Sequence, residues 1–138
     1  MRKTVTVLVA VSAATLALTL GACAAPPLDA AACTAFVTAQ NAYTDVANKS
    51  LTENTPVNSA LWTAAWKALL PAVDASAKLA TTDKLKTAFT GYETVLKATT
   101  NASEAERQQV WQTGYAQVVF QECVNLHAAK DGELTPLN

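Results

Sequence analysis

From Asp29 to Leu126 apolar residues return every three or four positions, and no run alternates long enough to read as a strand. Such a chain can bury its side chains only by packing helix on helix. Only four glycines stand among 138 residues, whereas alanine, the best intrinsic helix former, is abundant. The expectation is an all-α domain, a small antiparallel four-helix bundle, because short connections between helices favour antiparallel neighbours.

The first helix is expected from Asp29, as N-cap, to Lys49, with Cys33, Phe36, Val37, Gln40, Tyr43 and Ala47 on its inner stripe. Ser50 to Thr55 form a loop. Thr55 then caps a second helix with Pro56 at its first position, where the missing N–H costs nothing, and Trp62, Trp66, Leu69 and Val73 as its stripe. Pro71 lies inside that helix, and an interior proline removes a backbone bond and crowds the preceding turn, so a kink or break is expected there. The third helix opens near Thr82 and Asp83 and buries Leu85, Ala88, Phe89, Tyr92, Val95, Leu96 and Thr99. Glu93 stands four residues before Lys97 on its outer side, the favourable order for a surface pair. Ser103 and Glu106 form a capping box that announces a fourth helix. That helix is read as carrying Trp111, Tyr115, Val118, Val119, Cys123 and Leu126 inward and ending at Asp131 and Gly132, with a loose tail from Glu133 to Asn138.

Ahead of this domain lies a leader. Arg2 and Lys3 precede an apolar stretch from Val5 to Leu20, which is shorter than the roughly 20 residues of a membrane-spanning helix. Positive n-region, apolar h-region and the small residues Gly21 and Ala22 together read as a signal peptide. Leu20, Gly21, Ala22 and Cys23 resemble the lipobox of bacterial lipoproteins, with Gly21 standing where Ala, Ser or Thr is more usual. The alternative is a general secretory leader cut at an Ala-x-Ala-like site between Ala22 and Ala25. The resemblance covers residues 1–23 alone. It implies cleavage before Cys23, lipidation of Cys23 with palmitate-type chains, and residence on the extracytoplasmic face of the cell membrane. Each buried acyl methylene contributes about 0.8 kcal/mol, so two or three chains hold a domain durably. The chain then divides into a signal peptide (1–22), the lipidated cysteine and a short Pro-containing tether (23–28), a helical domain (29–132) and the tail (133–138). That tether spans on the order of 20 Å.

With Cys23 consumed by lipid, Cys33 and Cys123 remain as an even pair in an oxidising compartment and are expected to form a disulfide. Two buried thiols or a redox pair are the competing readings, the latter without the Cys-x-x-Cys spacing that lowers a thiol pKa. Pairing would lay the first and last helices side by side near the anchored end. Ten Lys and Arg stand against eleven Asp and Glu. Cleavage removes Arg2 and Lys3 but no carboxylate, leaving a net of about −3 with scattered charges and no footprint for nucleic acid or anionic lipid.

Few residues carry candidate chemistry. His127 is the only histidine, so a multi-histidine metal site is excluded; a role at the helix C-terminus suits it. A Cys123–His127 nucleophile pair would need the disulfide to be absent. Glu122 falls inside the apolar arc of the fourth helix. It either reaches water at the rim or lines a small polar pocket with Tyr43 or Tyr115, between the second and fourth helices. Trp62 and Trp66, one turn apart, read as core, with an aromatic platform for sugar rings as the alternative. Phe120 and Val124 lie outside the main arc and are candidates for an exposed partner face. No nucleophile elbow, phosphate-cradling loop or His-Glu-x-x-His motif occurs. The chain is therefore expected to be non-enzymatic and cofactor-free, binding an envelope protein or a small apolar or glycan ligand. A structural subunit or spacer of a membrane complex is the second reading, and a hydrolase using Glu122 and His127 the third.

Overall fold

The computed structural model describes residues 24–53, 60–101, 103, 106 and 114–137. Four helices make up the described fold: α1 (Pro27–Thr52), α2 (Ala60–Leu79), α3 (Asp83–Thr99) and α4 (Tyr115–Asn125). No strand occurs among these residues. Each helix packs on its neighbours in sequence, and α4 closes the ring against α1. The order is antiparallel throughout: Asp29 at the start of α1 meets Thr81 just after α2, Gly91 in α3 meets Tyr115 at the start of α4, and Cys33 meets Cys123 near the end of α4. The expected four-helix bundle is thus the observed fold.

Its interior follows the periodicity closely. Phe36 lies edge-on to Phe89 and Tyr92, with ring centroids 5.7 and 6.2 Å apart. Tyr43 lies edge-on to both Trp62 and Trp66, and the Trp62 Nε1 donates to the Tyr43 hydroxyl at 2.7 Å. The Tyr92 hydroxyl donates to Gln40 Oε1 at 2.7 Å, which answers the demand of a buried phenol for a partner. Burial, and then the neighbouring Tyr43, push the Tyr92 pKa far up, so this hydroxyl stays a donor at any ordinary pH. Cys33 and Cys123 form the expected disulfide, both fully buried. The reading of two free thiols is thereby set aside.

Several boundaries differ from expectation, each for a local reason. α1 starts at Pro27, because proline at the first helical position needs no N–H and has φ already set; the non-helical tether before it is Ala24 to Pro26. Asp29 is therefore not the N-cap of α1. It is fully buried, and its Oδ1 accepts from the backbone N–H groups of Thr81 and Thr82, the residues that lead into α3. α2 is continuous through Pro71, which sets aside a break there and agrees with the other expectation, a helix that carries the proline within it. The caps assigned to Thr55 and Pro56, and the core position assigned to Trp111, lie outside the described residues. Glu106 does reach back to Ser103, accepting from its backbone N–H and its hydroxyl at 2.7 Å each. The hydroxyl first, and then the N–H, hold that carboxyl below the ordinary Glu range.

The fourth helix is shorter than read. Gly114 takes a left-handed φ of 70°, and α4 begins immediately after it. Ala116, Val119, Phe120 and Cys123 form the buried stripe of this helix. Val118, read as core, is 52% exposed, and Phe120, read as a partner face, is 4% exposed. The helix ends at Asn125, well before Asp131. The tail, expected to be loose, is strapped to α1: Asn41 donates to the Glu133 carbonyl and accepts from the Thr135 N–H, both at 2.7 Å, and Asn48 donates to the Pro136 carbonyl at 2.9 Å.

Candidate functional site

An open groove of about 550 Å³ lies between α3 and α4. From α3 come Asp83, Lys84, Thr87, Ala88 and Gly91, and from α4 come Tyr115, Val118 and Glu122. These residues share a face because Asp83, Thr87 and Gly91 are one helical turn apart, as are Tyr115, Val118 and Glu122. Gly91 shapes the end away from Asp83. A side chain there would begin 3.5 Å from the Tyr115 ring, so the ring lies directly over the bare backbone of α3 and forms one wall.

The floor is apolar and the polar groups sit at the rim. Ala88 is buried and Val118 exposed, whereas Glu122 is half-buried at one lip. Asn125 Nδ2 stands 3.5 Å from Glu122 Oε1, the outer limit of a hydrogen bond, and leaves that carboxylate with most of its accepting capacity. Asp83 and Lys84 mark the end of the groove at the start of α3. Such a surface suits an occupant with an apolar body and a polar head.

Of the residues singled out from sequence, Glu122 and Tyr115 are brought together. Tyr43 is not with them, since it packs on the two tryptophans, and the groove lies between the third and fourth helices rather than the second and fourth. Trp62 and Trp66 are 3% and 2% exposed. They form no platform for sugar rings, because both indoles face inward from α2 onto Tyr43. Phe120 is likewise interior. His127 lies beyond the C-cap, exposed, with a φ of 56°. Since the sulfur of Cys123 is spent on the disulfide, there is no thiol for His127 to activate. No group of three metal-ligating side chains forms among the described residues, and no described helix is long and apolar enough to cross a membrane.

Gly91 was missed from the sequence, although a lone glycine inside the best amphipathic helix is a signal of close approach. Comparison of the chain with protein-family models, with curated proteins and with solved structures returned no match.

Proposed function

We propose that this chain is a lipid-anchored extracytoplasmic protein that works by binding, with the α3–α4 groove as its ligand site and a small amphiphile as the class of ligand. The groove carries the reading: Tyr115 and Val118 offer apolar contact, and Glu122 offers one polar anchor at the lip. The lipobox-like Leu20 to Cys23 supports the anchor, and a fully buried disulfide suits an oxidising compartment.

The test is to isolate the protein from its host membranes and identify what travels with it by mass spectrometry. A retained small molecule that is lost in Val118→Glu and weakened in Glu122→Gln is the expected outcome. Val118 is exposed, so its replacement leaves the core intact. A ligand held equally by both variants, or no small molecule at all, overturns the groove as the site.

A second reading, an accessory subunit or spacer in a membrane complex, is favoured by Leu51 and Leu61, which are 44% and 70% exposed at the end of the bundle remote from the start of α1. Crosslinking from Leu61 to a stable membrane protein would support it. Phe120, being buried, no longer does.

A further inference from the structure

We propose that the end of the bundle made by the first turn of α1, the α2–α3 turn and the C-terminus of α4 is a docking face for the bilayer surface, with Leu28 and Leu79 inserted at the headgroup level. The inference rests on the lipidation of Cys23 proposed above and adds to it a fixed orientation of the domain.

Three observations converge on this end. First, the tether is short. Helix starts at Pro27, so only Ala24, Ala25 and Pro26 separate it from Cys23, and four extended Cα steps span at most about 14 Å. The headgroup layer is about 5 to 7 Å deep on each side of a bilayer. A cysteine at the hydrocarbon boundary therefore keeps the start of α1 no more than about 7 to 9 Å beyond the outer edge of that layer, close enough for this end of the bundle to touch it.

Second, the topology gathers the exposed leucines of three chain segments' shared end. The bond from Thr81 to Asp29 seats the α2–α3 turn against the first turn of α1, which brings Leu79 to the same end as Leu28. They are 37% and 53% exposed. The disulfide adds the C-terminus of α4, with His127 and Lys130.

Third, the carboxylate of this first turn is turned away. Asp29 is fully buried, engaged by Thr81 and Thr82, and so presents no charge to the headgroups. Around the rim, Lys84, Lys86 and Lys130 alternate with Asp83 and Asp131, all exposed. With both signs interspersed, apolar insertion rather than lipid charge carries the contact. In this pose the Asp83–Lys84 end of the groove faces the headgroups and its Tyr115 end faces away. Leu51 and Leu61 lie at the far end, which makes Leu61 the built-in control.

The test places a nitroxide at Leu79→Cys, Leu28→Cys or Leu61→Cys, in full-length protein isolated from its host membranes and reconstituted into vesicles of phosphatidylcholine and phosphatidylglycerol, with the native disulfide left oxidised. Collision with oxygen and with an aqueous nickel chelate reports depth. Labels at 79 and 28 are expected to meet the chelate severalfold less than the label at 61, equally at low and high salt. Should Leu79→Cys fail to give a helical protein, Leu28→Cys carries the same reading. Equal chelate access at 28, 79 and 61, in protein whose Cys23 carries lipid by mass spectrometry, overturns the docking face and leaves the anchor standing. A Cys23 without lipid overturns both.

Discussion

His127 holds a conformation that its type resists. It is the one non-glycine with positive φ among the described residues, at the position just past the α4 C-cap where helices favour glycine. The bonds of a Schellman motif surround it: His127 N–H to the Val124 carbonyl and Ala128 N–H to the Cys123 carbonyl, both 2.9 Å. A left-handed L-residue costs about 1–2 kcal/mol, so His127→Gly should stabilise the domain by about 1 kcal/mol, raising Tm by about 4 °C in a thermal melt. Asp29 is a buried carboxylate served through one oxygen: Oδ1 takes both bonds, and Oδ2 has no hydrogen-bond partner. Burial alone would push its pKa up, but the bonds from Thr81 and Thr82 together outweigh that and hold it below the ordinary Asp range. A carboxylate with a depressed folded pKa contributes stability that is whole above about pH 4, the unfolded value, and is lost as pH falls through the folded one. Denaturant titrations should show an acid limb below pH 4 that flattens in Asp29→Asn, while Asp29→Ala should cost about 1–2 kcal/mol near neutrality. The sequence marked Asp29 as the N-cap of the first helix; that it instead holds Thr81 and Thr82 depends on tertiary contact across 52 residues, which leaves no local pattern.

At the scale of helices, inward positions were legible wherever periodicity ran without interruption. In α3 the expected Leu85, Ala88, Phe89, Tyr92, Leu96 and Thr99 are all buried, with Val95 half-buried, and Lys97 pairs with Glu93 at 3.0 Å. In α4 the buried stripe of Ala116, Val119, Phe120 and Cys123 lies to one side of the stripe read through Tyr115, Val118 and Leu126, and the left-handed turn at Gly114 from which this helix starts leaves no mark in the apolar pattern. Threonine, a modest helix former, is at home here because its hydroxyl bonds back to the carbonyl four residues earlier, as in Thr38, Thr87, Thr90 and Thr94. Glycine in mid-helix costs about 0.5–1 kcal/mol relative to alanine, and a methyl at Gly91 would meet the Tyr115 ring at ordinary contact distance. Gly91→Ala should therefore stabilise by roughly that amount, measured by urea denaturation, while narrowing the groove and weakening any ligand it holds. The tail was misjudged because composition described it and two asparagines on another helix decide it. Asn41→Ala removes two bonds to it, and amide exchange at Leu134 and Thr135 should quicken while the core helices keep their protection.

For the whole molecule, one bond joins the first helix to the last across 90 residues. Closing so long a loop in the unfolded chain is worth on the order of 4–5 kcal/mol in the chain-entropy view. Cys33→Ala with Cys123→Ala should lower stability by about that much, visible as a lower denaturation midpoint. Fold class and the staple could be read from residue spacing and cysteine parity. The groove could not, since it depends on which faces of α3 and α4 meet and on the absence of a side chain at Gly91. Anchor and orientation both depend on what happens at Cys23. The most direct test is the intact mass and thiol count of protein extracted from its host membranes without reduction. The account predicts a chain that begins at Cys23, carries acyl chains and has no alkylatable thiol. An unmodified amino terminus with two thiols open to alkylation would contradict it.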